Sequence, residues 1–308
     1  MLSGRTPLTE GAFSTLRASN RKMERHRVSI LLPAAALAAA LLLCAGCVRA
    51  DGTSIPHGTL ELIAEKQWLA AGQTANVGLR IELEKGWHVY WVNPGDSGEP
   101  PRVKWDLPAG VKAGAVEWPA PKRLGTPSIV DYGYEDAVML IIPLRIDAAL
   151  AVPTNARIAA EVKVLVCREM CIPGKAQLSL TLPVKTGVPP ADARHVEIFS
   201  AARKAQPRPA PTSWKCRVAD AKGSFVLTAN PGQRVAAATF FPLAESQVSN
   251  AAPQHFEAMP TGFRLKLQKS DQLLKPIERL RGVLVVPGQH AYTIDVPVTN
   301  SGAAANTR

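Results

Sequence analysis

Between Thr59 and Val184 apolar residues recur at every second position in short runs. Val77, Leu79, Ile81 and Leu83 alternate with Gly78, Arg80 and Glu82, the period of a strand with one face buried. Ile158, Ala160, Val162, Val164 and Val166 alternate with a second set that includes Glu161 and Lys163. Leu178, Leu180, Leu182 and Val184 alternate with Gln177, Ser179 and Thr181. Ala137 to Ile146 is an apolar run suited to a buried strand. Pro and Gly clusters punctuate these runs, so the pattern predicts a β-sandwich over residues 55–185.

The alternation then stops. Ala191 to Ala205 predicts one helix with Val196 and Phe199 on one side, and Pro207, Pro209 and Pro211 make a stiff extended spacer. We read 186–213 as a helix and a Pro-rich linker. Strands resume after Trp214: Phe225–Thr228, Ala236–Phe241, Phe263–Gln268, Val283–Val286 and Tyr292–Val298, with Pro287-Gly288 as a hairpin turn between the last two. Residues 214–299 thus form a second, smaller β-sandwich-like domain, followed by a polar tail over 300–308. The fold class is all-β. Its 26 Pro and few aromatics agree with a loop-rich β protein, and 46% apolar residues suffice for a core.

Net charge is +11, and part of the basic excess lies before residue 28. No Lys/Arg run is interleaved with aromatics, so nucleic acid is not an expected partner. Basic residues at 21–27, the apolar run Val28 to Leu43 and the small residues ending at Ala50 make the three-part pattern of a secretory leader over 1–50. Met23 gives that leader ordinary proportions as a start. Cleavage after Ala50 yields a free protein, whereas Ala45-Gly46-Cys47 resembles a lipobox that would anchor the chain through Cys47. Either route exports the chain to a compartment where disulfides persist.

Cys44 and Cys47 belong to the leader, and Cys216 stands alone after the linker. That leaves Cys167-Arg168-Glu169-Met170-Cys171, whose two thiols in an exported protein are set to pair. Cys167 shares its parity with Glu161 and Lys163, which places it on the less buried face at a strand end, at an edge of the sandwich. In the chain-entropy picture so short a loop stabilises by only about 2 kcal/mol, against about 4–5 for a long one. A short, accessible bridge is also easier to reduce. Arg168 favours a thiolate nearby and Glu169 opposes it. Spacing alone leaves a redox-active and a structural disulfide both open.

Gly86-Trp87-His88-Val89-Tyr90-Trp91, then Tyr134-Glu135-Asp136 before an apolar strand, then Cys167…Cys171-Ile172-Pro173 occur in an order that resembles the amino-terminal domain of the thiol:disulfide interchange protein DsbD. The loop Asn93-Pro94-Gly95-Asp96-Ser97-Gly98 and the second β domain look more like the copper-tolerance ScsB-type relatives. The resemblance implies an immunoglobulin-like domain in the periplasm that relays electrons through Cys167 and Cys171, with Cys171 forming the mixed disulfides. It implies thioredoxin-like redox proteins or a separate membrane electron donor on one side, exported disulfide proteins on the other, and no cofactor. His88 and Tyr90 match positions flanking the pair. Trp118–Gly133 takes the place of a shielding cap loop, with Tyr132 and Leu124 as candidates for its cap residue and Tyr134 beside them. The membrane and thioredoxin-like domains of the family are not recognisable here, so another chain is expected to reduce this one.

Three other readings fit parts of the chain. Gly95-Asp96-Ser97-Gly98-Glu99-Pro100 mimics the surroundings of a trypsin-like serine nucleophile, but His57 falls before the first predicted strand and too little chain precedes Ser97 to hold a base and its acid. Cys167, Met170 and Cys171, with His88 nearby, are soft ligands suited to Cu(I). A structural adaptor with an inert disulfide is the third.

Overall fold

The computed structural model describes residues 52–300; the expected leader, the lipobox-like Cys47 and the expected tail beyond Asn300 lie outside them. The first half is built from β1 (Thr53–Ile55), β2 (Gly58–Ala64), β3 (Leu69–Ala70), β4 (Thr74–Leu83), β5 (His88–Gly95), β6 (Arg102–Asp106), β7 (Val111–Ala113), β8 (Lys122–Thr126), β9 (Ile129–Glu135), β10 (Ala137–Ile146), β11 (Thr154–Cys167) and β12 (Cys171–Lys185). They form two sheets, ordered β1-β2-β4-β10-β7 and β3-β12-β11-β5-β9-β8, with β6 also lying along β11. The inward set of β4, Val77, Leu79 and Ile81, meets Ile158, Val162 and Val166 of β11 in one core. Each such side chain, fully buried, contributes about 1.5–3 kcal/mol.

β10 is apolar on both faces for two separate reasons. Val138, Leu140, Ile142 and Leu144 face the sandwich core. Met139 and Ile141 face outward and, with Ile63, are covered by Phe199 and Ala202 of the helix Val196–Ala205. That helix is shorter than the alternation suggested. Asp192 takes its first residues out of helical geometry: its carboxylate accepts the Arg194 backbone N–H at 3.1 Å and its carbonyl that of His195 at 2.9 Å, a local turn that competes with the helix.

The chain then continues through β13 (Arg208–Pro209), a 3-10 turn at Thr212–Trp214, and β14 (Arg217–Ala221), β15 (Ser224–Ala229), β16 (Thr239–Pro242), β17 (His255–Met259), β18 (Gly262–Gln268), β19 (Arg279–Val285) and β20 (Ala291–Asn300). The order is β16-β19-β20-β14-β15-β18-β17, and β20 passes from β19 to β14 along its length. Phe225, Phe240, Phe263, Leu265 and Leu284 fill a second core. The expected strand Ala236–Phe241 is strand only from Thr239. The Pro-rich spacer is tied down, since Arg208 and Pro209 pair with Tyr292 and Thr293 of β20. Phe241 and Val283 turn away from the second core and complete the first one.

Candidate functional site

Cys167 closes β11 and Cys171 opens β12, and their sulfurs are joined at 2.02 Å. The position is not an edge of the sheet, as the alternation had implied. β5 comes in on the other side of β11 and pairs His88 with Cys167, so the end of β11 has neighbours on both sides. That neighbour is why Cys167 is only 2% exposed although its parity is that of the solvent-facing set. Cys171, on the outer side of the same turn, is exposed.

The pleat sorts the surrounding residues. Cross-strand partners share a face, so Cys171, Cys167 and His88 lie together on the outer face, with Tyr90 two residues along β5. Tyr90 pairs with Gly133, which puts Asp131, two residues from Gly133, on the same face. Trp87, Val89, Trp91, Tyr132 and Tyr134 point into the core instead. Of the flanking residues read from the sequence, His88 and Tyr90 are therefore brought to the disulfide, and Tyr132 and Tyr134 are on the opposite side of the sheet. Tyr134 donates to the Pro119 carbonyl at 2.8 Å. Tyr132 donates to Asn250 Oδ1 at 2.9 Å and stands edge-on to Phe241. Burial lifts the pKa of both phenols. Leu124 is half-buried on β8.

On the outer face the contacts run as a chain. The Tyr90 hydroxyl lies 3.4 Å from Cys171 Sγ, and since the bonded sulfur carries no hydrogen the phenol is the donor. Burial, above all, raises the Tyr90 pKa, so the phenol keeps its proton. The His88 ring meets Tyr90 edge-on with centroids 5.2 Å apart. Burial lowers the His88 pKa, partly offset by the carboxylates of Asp131, at 3.9 Å, and Glu135. Asp131 is pushed up by burial, while the Ser97 side chain and backbone N–H, donating at 2.9 and 3.1 Å, pull it down.

Ser97 lies just past the end of β5, in the segment Asn93–Gly98. Gly98 sits at φ +77°, and a Cβ there would overlap the Tyr90 ring, so the glycine lets the loop lie flat on the phenol. The protease-like run is thus a cover over the aromatic beside the disulfide. Ser97 Oγ donates to Asp131, no histidine among the described residues is hydrogen-bonded to it, and His57 stacks on Trp87 at 3.8 Å. Nothing local in sequence joins Asp131 and Gly98 to the cysteines. The sequence signal available for Gly98 was the Gly-Asp-Ser-Gly run itself.

Met170 is 68% exposed at the tip of the turn. Arg168 lies over the Trp87 ring, 5.0 Å from its centroid. Among the described residues no group of three or more His, Cys, Asp or Glu side chains is placed to hold a metal ion. Cys216 is half-buried, and burial raises its thiol pKa.

Residues 60–183 match the protein family described as "Thiol:disulfide interchange protein DsbD, N-terminal". Over that segment the chain is similar to that family. The DsbD-type segment thus holds β3 to β11 whole and the Cys167–Cys171 pair, and the sandwich is immunoglobulin-like. Among solved structures, the N-terminal periplasmic domain of ScsB from Proteus mirabilis aligns with a TM-score of 0.62 at 16% identity, covering 79% of this chain and 93% of that one. The alignment therefore runs beyond the DsbD-type segment and shows that the fold of both halves recurs. A protein of unknown function from Porphyromonas gingivalis W83 aligns at a TM-score of 0.24 and 11% identity, covering 78% and 98%, and carries no argument. No curated protein matches the chain.

Proposed function

We propose that the protein is a periplasmic thiol–disulfide exchange protein, relaying reducing equivalents from a thioredoxin-like or membrane donor to exported acceptor proteins through Cys167 and Cys171. The DsbD-type segment supports the class of reaction. The observation that carries the assignment of roles is the asymmetry of the pair: Cys171 is exposed and Cys167 is 2% exposed. A donor thiolate attacks Cys171 Sγ, the Cys171–Cys167 bond breaks, and Cys167 leaves as a thiolate that takes up a proton. The donor's second thiol then attacks the mixed disulfide and releases Cys171, leaving donor oxidised and pair reduced. In the forward half, the Cys171 thiolate attacks an acceptor disulfide and Cys167 resolves it. Tyr90 donates a hydrogen bond to the Cys171 sulfur, which carries the charge when the forward half begins.

Replacing the resolving thiol traps partners, and replacing the attacking thiol does not. Cys167→Ala is expected to accumulate mixed disulfides through Cys171 in the native host, seen on non-reducing gels after acid quenching, and Cys171→Ala few. Equal trapping by both variants would refute the assignment of roles.

A further inference from the structure

The second β domain carries a polar cleft of about 460 Å³ that the exchange reading does not use. β14 and β15 are joined by the two-residue turn Lys222-Gly223, with Gly223 at φ +73°, the left-handed backbone that a turn glycine supplies. Ser224, just past the turn, pairs with Gln268 of β18. His255 of β17 pairs with Lys266, two residues back along β18. Cross-strand partners share a face, and so do residues two apart in a strand. Ser224, Gln268, Lys266 and His255 therefore stand together on the outer face and line the cleft, while Phe225, Leu265 and Leu267 turn into the second core.

Two observations point to a missing anion. Ser224 is 3% exposed, and its Oγ is buried without a hydrogen-bond partner. A buried hydroxyl left unpaired is destabilising, so its place in the cleft wall calls for an acceptor that the fold does not supply. The charges are also unbalanced. Lys222 and Lys266 are exposed and form no ion pair among the described residues. Lys269 is already taken, since its Nζ donates to Asp220 at 2.7 Å and lies 4.8 Å from the Phe225 centroid. Asp271 sets one carboxylate in the lining against the two free ammoniums.

The chemistry of these groups selects the anion. Lysine ammoniums bind as point charges, whereas a carboxylate is held best by the planar fork of arginine, and the residues lining the cleft include none. A phosphate monoester offers tetrahedral acceptor oxygens and a charge of about −1.5 to −2 at neutral pH, which matches one hydroxyl and two ammoniums. The volume is within the range of about 300–1,000 Å³ that holds small organic ligands, so there is room for the group that carries the phosphate. We infer that this cleft binds a phosphomonoester, with Ser224 Oγ donating to a phosphate oxygen and Lys222 and Lys266 supplying the counter-charge. The inference stands apart from the exchange reading, because the sheet that forms the cleft contains neither Cys167 nor Cys171.

The test is calorimetric titration of the full chain with glycerol 3-phosphate at physiological salt, beside flotation with phosphatidylcholine vesicles that carry phosphatidate, the same group on a lipid. Ser224→Ala is expected to weaken binding about tenfold, the equivalent of about 1.4 kcal/mol. It is also expected to leave the thermal midpoint of the ligand-free protein unchanged or higher, because it removes an unpaired hydroxyl. Lys266→Gln is expected to weaken binding about tenfold as well. Lys104→Gln, which removes the same charge from β6 of the first sandwich, is expected to leave it within twofold. Binding of glycerol 3-phosphate assigns the site to a soluble ester, and binding to the vesicles alone assigns it to a lipid headgroup. Binding of neither probe, unchanged affinity in Ser224→Ala or Lys266→Gln, or an equal loss in Lys104→Gln overturns the site. So does a lowered midpoint in ligand-free Ser224→Ala, since the hydroxyl would then have its partner within the fold.

Discussion

Tyr90 and Cys171 are 81 residues apart in sequence, and the phenol hydroxyl points at the sulfur from 3.4 Å. Because burial keeps the phenol protonated, the same hydrogen bond is available to the thiolate that replaces the bonded sulfur on reduction. Tyr90→Phe is expected to raise the Cys171 thiol pKa in the reduced protein by about one unit, the size of one hydrogen bond to a charged group. Ultraviolet thiolate absorbance against pH reads this directly, and an unmoved titration would remove Tyr90 from the exchange step.

Asp131 and His88 pull each other in opposite directions. His88 titrates below its ordinary value because burial outweighs the Asp131 carboxylate, so its contribution to stability is complete above the unfolded midpoint of about 6.5 and is lost as pH falls through the lower folded midpoint. Asp131 is raised, so its contribution is complete below its unfolded midpoint and lost as pH rises through the folded one. Asp131→Asn keeps an oxygen to accept from Ser97 and removes the charge. The variant is expected to lower the His88 midpoint further, read by NMR titration of the imidazole, without loss of stability at neutral pH. A rise in the midpoint would mean that the two groups are not coupled as the 3.9 Å separation implies.

The reduction potential separates an exchanging bond from an inert one. Equilibration with glutathione is expected to place the pair above about −300 mV, the range below which structural disulfides lie. A lower value would favour the adaptor with a fixed bridge. Tight Cu(I) binding by the reduced protein, together with no trapping by either cysteine variant, would instead favour the soft-ligand reading of Cys167, Met170 and Cys171.

What the sequence showed was set by what is local. The alternation in Ile158–Val166 and Leu178–Val184 translates directly into β11 and β12, and the run Ala137–Ile146 is β10 from end to end. β6, β8 and β9 are short on such a signal: Val103 and Trp105, Leu124 alone, and Val130, Tyr132 and Tyr134 keep the period over only one to three apolar positions each. The cysteine pair was visible as spacing, but the burial of Cys167 depends on β5, which arrives from 79 residues away. The resemblance implies Tyr132 as a cap candidate, and the pleat turns it inward toward Phe241. Asn250 was illegible as the acceptor of the Tyr132 hydroxyl, since a polar residue acquires its role from a partner that only the tertiary fold supplies.

All 14 residues of β11 pair with β12, and Cys167 with Cys171 is the last rung of that ladder. The sulfur–sulfur bond therefore closes a turn that backbone hydrogen bonds and packed valines have already closed. Opening it releases a loop worth only about 2 kcal/mol of chain entropy. The ladder that holds the scaffold, and the β5 pairing that sets Tyr90 in register, do not depend on that bond. On the exchange reading, a pair set on such a ladder would not have to refold between one partner and the next, and its working life would be limited by chemistry at two sulfurs and not by wear on the fold.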